Sequence, residues 1–387
     1  SSLGAMRFAD VAFETVRPFV RGEVPDGVLG DIVAAAYPFG APLVPVGERF
    51  VLELFHGPTA AFKDFGARFM ARAFSYLRRG EDRLLTILVA TSGDTGGAVA
   101  DGFFGVEGVS VTVLYPKGRV TPLQEKQIAG LHGNIRAIAV EGSFDDCQRL
   151  VKEAFRHDML RQKLDLTSAN SINIARLIPQ AVYYVAGAGK KPGITYAVPS
   201  GNFGNLTAGL YAQKMGAPIK GFIAATNINK TVPDYLETGV YEIRPSQATI
   251  SNAMDVGAPS NFERMAAHWT LGELRTVMQG VWVTDEETRE TIRRVHAQTG
   301  YTLDPHGAVG WKAVEKWPSS GFAGSVAHDK TGPVAVLETA HPAKFAETVE
   351  PLIGKVALPP SLEKAMTREA AAVTIPAHIE NLIEQMI

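Results

Sequence analysis

Short runs of aliphatic and β-branched residues recur along this chain, each followed by a glycine-containing loop and then by apolar residues at helical spacing. Six runs stand out, at residues 84–90, 109–115, 134–140, 194–198, 220–225 and 333–338. Strands alternating with helices predict a mostly parallel sheet, with ligands at the carboxyl ends of its strands. The alternation falls into two groups. Residues 84–157 hold three of the runs; a second group covers 167–226 and resumes at 304–345, after a less regular stretch at 230–299. Residues 1–50 read as helical in the middle and Pro-rich beyond Tyr37, and a helical tail is expected past Pro359. The expected organisation is an amino-terminal segment (1–50), a large α/β domain (51–83 and 158–358), a small α/β domain (84–157) and a carboxy-terminal tail (359–387).

Composition narrows the function classes. Of 387 residues 46% are apolar and 20% charged, and the formal net charge is −2. A chain this neutral carries no electrostatic footprint for nucleic acid or an anionic membrane. Its single cysteine, Cys147, excludes a disulfide framework and any thiolate zinc site, and its helical setting predicts buried packing. No apolar run approaches the ~18 residues of a membrane span, and no leader pattern opens the chain, so a soluble cytoplasmic protein is expected. His56, His306 and His341 lie in no metal-ligand spacing; no metal is expected, and the first two are read as loop-shaping residues.

The segment 56–66, HGPTAAFKDFG, turns from loop into helix, with Pro58 near the start and Thr59 as a candidate cap. Phe62, Phe65, Phe69, Met70, Ala73, Phe74 and Leu77 form an apolar stripe downstream. Lys63 sits in the first turn, where partial desolvation and the helix dipole both disfavour the ammonium form. A lowered pKa suits an amine that attacks an aldehyde and later shuttles a proton. Taken alone, the same lysine reads as a snorkelling side chain covering the stripe.

After residues 194–198 comes Pro199-Ser200-Gly201-Asn202-Phe203-Gly204-Asn205 and a further helical segment. Glycines three apart permit a curl in which successive amides converge on one anion, beside a helix amino terminus. The loop holds no Lys or Arg and lacks the Gly-Lys-Ser/Thr ending of a triphosphate site. It reads as a grip on a phosphate monoester, or as an ordinary strand-to-helix turn. A lysine and such a grip together fit pyridoxal phosphate.

A second anion site is expected at Thr91-Ser92-Gly93-Asp94-Thr95-Gly96, which follows the first run and opens a helix. Asn170-Ser171-Ile172-Asn173-Ile174-Ala175-Arg176 adds polar groups ending in a guanidinium suited to phosphate; its Asn and Ser residues could equally be caps. Thr339, again at a carboxyl edge, could face a bound ring or cap the helix before Pro342. Lys344 is expected on an exposed helix surface, and Lys117 is a lesser candidate for attracting an anionic substrate.

At these strings the chain resembles threonine synthase, of the fold-type II pyridoxal phosphate enzymes related to the tryptophan synthase β subunit. The matching segments are HGPTAAFKDFGARFM (56–70), ATSGDTG (90–96), PLQEK (122–126), SANSINIARL (168–177), VPSGNFGN (198–205), AATN (224–227), SNAMD (251–255) and TAHPAKF (339–345). The resemblance implies two mostly parallel α/β domains with the active site between them, plus the amino-terminal helical segment; the large domain would bind the cofactor. It implies that Lys63 carries pyridoxal 5′-phosphate as a Schiff base, and that Gly201, Asn202, Phe203, Gly204 and Asn205 hold its phosphate. Thr339 would meet the pyridine nitrogen and Asp94 would lie near the ring hydroxyl. Ser92, Thr95, Ser171, Asn173 and Arg176 would bind the substrate, O-phospho-L-homoserine, which the family converts with water to L-threonine and phosphate. A monomer or weak homodimer with no nucleic-acid partner is expected. Family members usually begin with a longer stretch containing a Ser-Thr-Arg-Gly-like string; this chain starts Ser1-Ser2 without it, so an incomplete amino-terminal segment is expected. The competing readings are a serine/threonine dehydratase on the same scaffold and a catalytically silent cofactor-binding homologue.

Overall fold

A computed structural model describes residues 2–317 and 331–387. Its contacts divide the chain into two compact units, one of Ser1–Val33, Pro38–His56 and Leu177–Ala357, the other of Ala34–Tyr37, Gly57–Arg176 and Leu358–Ile387. All six expected strands are present, within one or two residues of their expected ends. The structure adds five that the pattern did not reveal.

The first unit is built on a six-stranded sheet. In chain order its strands are β1 (Leu43–Val46), β2 (Arg49–Glu53), β7 (Ile194–Pro199), β8 (Ile219–Thr226), β9 (Met278–Trp282) and β10 (Val334–Glu338), arranged β1-β2-β10-β7-β8-β9. Only the β1–β2 hairpin is antiparallel. Gly47, at φ +57, makes its tight turn. The central strand β7 is buried at every position, as expected of a strand with helices on both faces. Because β10 pairs with β7 at Val336↔Ala197, the segments leaving their carboxyl ends, from Thr339 and from Ser200, emerge side by side.

The second unit carries a five-stranded, wholly parallel sheet of β3 (Leu85–Ala90), β4 (Val109–Pro116), β5 (Ile135–Glu141), β6 (Asp165–Ser168) and β11 (Val373–Pro376), in the order β11-β5-β4-β3-β6. One face is covered by the helices Lys63–Leu77, Asp94–Phe103 and Pro122–Ala129, whose Met70, Val99 and Ile128 meet Ile87, Val111 and Val113. The other face buries Cys147, Leu150 and Leu382 against Leu88 and Ile138. Cys147 is thus core packing, and burial pushes its thiol up to about 12. The tail expected to be helical contributes β11 to this sheet as well as its closing helix, Ile379–Met386. Residues 57–83 and 158–176 pack within this same unit.

Candidate active site

In the first unit, the chain leaves β7 through Ser200 and enters the helix Gly204–Lys214. Phe203, its N-cap, adopts the left-handed conformation (φ 59, ψ 9), so the loop curls sharply before the helix begins. Gly201 is required by close approach, since a Cβ there would stand 2.6 Å from the Ala253 carbonyl oxygen and 2.7 Å from Met254 Cα. The side-chain oxygens of Asn202 and Asn205 are committed to the protein. Asn202 Oδ1 accepts from the Ser260 amide (2.6 Å) and hydroxyl (2.8 Å), and Asn205 Oδ1 accepts from the hydroxyls of Tyr183 (2.6 Å) and Tyr184 (2.7 Å). The backbone is not: among the described contacts no N–H of residues 201–205 has an acceptor, and the first to find one is that of Thr207, on Phe203 O at 3.0 Å. Asn205 Nδ2 is also buried without a partner. A cluster of convergent donors with no cation among them fits a phosphate monoester.

Thr339 lies beside this loop at the end of β10 and is 6% exposed. It is not the cap of the following turn, a role filled by His341, whose side chain accepts from the Ala343 amide. Beneath Thr339 is a buried polar group that the sequence reading missed. Asp304 caps the helix Pro305–Lys316. Its Oδ2 accepts from the Ala340 amide (3.1 Å), and its own amide donates to Glu338 Oε1 (2.5 Å). Burial, reinforced by the Asp304 charge, raises the Glu338 pKa well above its ordinary value. Lys344, expected at the surface, is 1% exposed.

In the second unit, Lys63 is the first residue of its helix, half-buried, with Nζ 5.2 Å from the Phe62 ring centroid. Thr59 does not cap this helix. Instead the buried Asp64 carboxylate accepts from the Thr59 amide (2.9 Å) and hydroxyl (2.6 Å), pinning the loop to the helix start. The turn between them places Ala60 at φ 53. Of the expected stripe, Phe65, Phe69, Met70 and Ala73 are buried, whereas Leu77 is 51% exposed. Asp64, next to the lysine, was legible only as part of the quoted motif.

The loop leaving β3 spends two of its amides on a side chain of its own. Thr91 Oγ1 accepts from the amides of Gly93 (2.9 Å) and Gly96 (2.8 Å). Gln124 Nε2 donates to Asp94 Oδ1 at 3.0 Å, and Gly93, at φ +138, leaves room for the Gln124 amide group. The hydroxyls of Ser92 and Thr95, both half-buried, have no partner among the described contacts. From neighbouring β6 the chain reaches Ser171, half-buried, and Asn173, which donates to Ser168 O (2.9 Å) and accepts from the Ala175 amide (3.0 Å). Arg176 is 1% exposed and Nη1 donates to Ala169 O at 2.6 Å. Burial lowers its pKa to about 10 against the attraction of Asp64, so it remains a cation at neutral pH. Lys117 is exposed and paired with Glu141. Among the described residues, no group of three His, Cys, Asp or Glu could hold a metal ion, and no helix is long and apolar enough to cross a membrane.

The family of pyridoxal-phosphate dependent enzymes matches residues 42–325, and the threonine synthase C-terminal family matches residues 307–387. A threonine synthase of Haemophilus influenzae is 46% identical over 357 residues, covering 89% of this chain and 80% of its own. The chain belongs to the threonine synthase family. Its cofactor is accordingly pyridoxal 5′-phosphate. The crystal structure of the Escherichia coli threonine synthase superposes with a TM-score of 0.89 at 42% identity, covering 99% of this chain and 89% of that one. A threonine synthase of Brucella melitensis, solved with the cofactor bound, gives a TM-score of 0.88 at 36% identity and covers 100% and 89%. Both units therefore follow the threonine synthase fold.

Proposed function

We propose that this chain converts O-phospho-L-homoserine and water to L-threonine and inorganic phosphate. The observation that carries the reading is the set of five uncommitted amides at residues 201–205, a phosphate grip without a basic side chain, in a chain of this family. In this reading those amides and Asn205 Nδ2 hold the cofactor phosphate, Thr339 offers a hydroxyl to the pyridine nitrogen, Asp94 lies near the ring hydroxyl, and the Lys63 amine carries the aldehyde. When bound, the cofactor supplies an electron sink that stabilises negative charge at the substrate α-carbon.

The chain's own groups supply the rest. Lys63, released when the substrate amine takes its place, removes the α-proton and later returns it. Its mobility is confined to the side chain, because Asp64 and Thr59 fix the backbone on either side. Ser92 and Thr95 offer unspent hydroxyls to the substrate phosphate, with Ser171 and Asn173 at the adjacent strand end. Arg176 contributes the positive charge that favours departure of that phosphate. A proton leaves the β-carbon as the γ carbon–oxygen bond breaks, the γ-carbon takes up a proton to become the methyl group, and water then adds at the β-carbon, so that threonine and phosphate together account for every atom of substrate and water. A hydroxyl at the ring nitrogen does not enforce full ring protonation, unlike a carboxylate. The same reading has the protein acting in the cytoplasm as a monomer or weak homodimer, without nucleic acid.

Incubation of the purified protein with O-phosphohomoserine tests this. Equal amounts of threonine and phosphate are expected. A keto acid formed from serine or threonine, with no phosphate released from O-phosphohomoserine, would instead identify a dehydratase.

A further inference from the structure

His306 is 2% exposed, just inside the helix that Asp304 caps, and neither ring nitrogen is idle. Nδ1 lies 2.7 Å from Asp304 Oδ1, and Nε2 accepts from the Ala253 amide at 3.3 Å. Because the Ala253 amide can only donate, these partners select the tautomer with its proton on Nδ1. The ring is held edge-on to Phe345, centroids 4.9 Å apart. An apolar side chain of similar volume would fill this space but remove the acceptor of the half-buried Ala253 amide and one of the donors to Asp304 Oδ1.

The two partners lead to different places. Ala253 and Met254 are the backbone against which Gly201 of the phosphate loop rests. Asp304 accepts from Ala340, the neighbour of Thr339. One side chain therefore connects the floor of the phosphate loop with the residue after the ring-end threonine. We infer that His306 is a positioning residue that sets the phosphate loop and Thr339 in fixed relation, so that the phosphate's contribution to cofactor binding depends on its bond from Ala253. This rests on the cofactor assignments proposed above and adds to them a residue that touches neither cofactor nor substrate.

The test is made on the full chain, stripped of cofactor and titrated with pyridoxal 5′-phosphate and with phosphate-free pyridoxal, following the absorbance of the bound form. The ratio of the two dissociation constants measures what the phosphate contributes. His306→Asn keeps a donor toward Asp304 and loses the acceptor for Ala253. It is expected to weaken pyridoxal 5′-phosphate about tenfold, the effect of one lost hydrogen bond, while pyridoxal stays within about twofold. His306→Gln places an oxygen where Nε2 stood and is expected to recover the wild-type ratio to within about threefold. A merely structural histidine would weaken both ligands together, leaving the ratio unchanged in His306→Asn, and that result overturns the inference. Should His306→Asn fail to fold, His306→Gln decides alone: a retained ratio supports the link and a collapsed one refutes it. A wild-type chain that bound neither ligand would overturn the proposed function, and the inference with it.

Discussion

Two of the chain's strand–loop–helix units, those that follow β7 and β3, are equipped in different ways. After β7 the side-chain oxygens of Asn202 and Asn205 are spent on Ser260, Tyr183 and Tyr184, and the amides of residues 201–205 are left open. After β3 the amides of Gly93 and Gly96 are spent on Thr91, and the hydroxyls of Ser92 and Thr95 are left open. Which donors remain decides what each loop is fit to hold. Fixed amides suit a phosphate that stays through every turnover, since they cost no side-chain entropy when it binds. Rotatable hydroxyls suit a phosphate that arrives, reacts and leaves.

The sharpest way to break this contrast is at Gly201. In Gly201→Ala the new Cβ meets the Ala253 carbonyl oxygen and Met254 Cα, both backbone atoms that cannot swing aside. Cofactor affinity is expected to fall by about 100-fold, towards the upper end of the 1–3 kcal/mol scale of an overpacked site. A titration that returned the wild-type dissociation constant would remove the amide half of the comparison. A smaller and selective effect is expected in the other loop. If Ser92 and Thr95 hold the substrate phosphate as proposed, Ser92→Ala and Thr95→Val each delete one hydrogen bond to that anion, and kcat/KM for O-phosphohomoserine should drop roughly tenfold. Cofactor affinity in both variants should match wild type, and a parallel loss would show that the loops are not specialised as described.

The smallest effect concerns the floor under Gly201. Burial pushes the Asp255 carboxyl up to about 6, against hydrogen bonds from Thr249 and Asn227. The folded state thus binds this proton more tightly than the unfolded chain does. Its stabilising contribution is complete below the unfolded pKa near 4 and is lost as pH rises through about 6. For a partly exposed group this amounts to about 1–2 kcal/mol. Urea midpoints from pH 4 to 7 should show wild type losing ground to Asp255→Asn over that interval. A constant difference between the two would contradict the assignment.

Much of this was legible in local sequence. The six expected strands announced themselves because runs such as 85–90 are buried on both faces and so read as continuous apolar stretches. Lys63 and the 201–205 loop were legible because turn chemistry is written in adjacent residues. The hairpin β1–β2 was hidden by Pro45 and by polar Arg49 and Glu53, and β6 and β11, at four residues each, are too short to show a period. What escaped altogether was pairing across long intervals. Nothing near Asp304 marks its bonds to residues 338 and 340, and the buried Lys344 follows from the same enclosed loop. Thr59 was read as a cap because threonine before a helix usually accepts; here Asp64 reverses the roles and makes it the donor.

The account turns on a covalent link between one side-chain amine and the cofactor, and visible spectroscopy of the reconstituted protein reads that link directly. Wild type should show an absorption band that borohydride bleaches, with the label then fixed to the peptide containing Lys63, whereas Lys63→Ala should show no such fixed label and lose at least about 10³-fold in threonine formation. A wild-type protein that remains colourless after reconstitution, or a borohydride-fixed label on any other lysine, would contradict it.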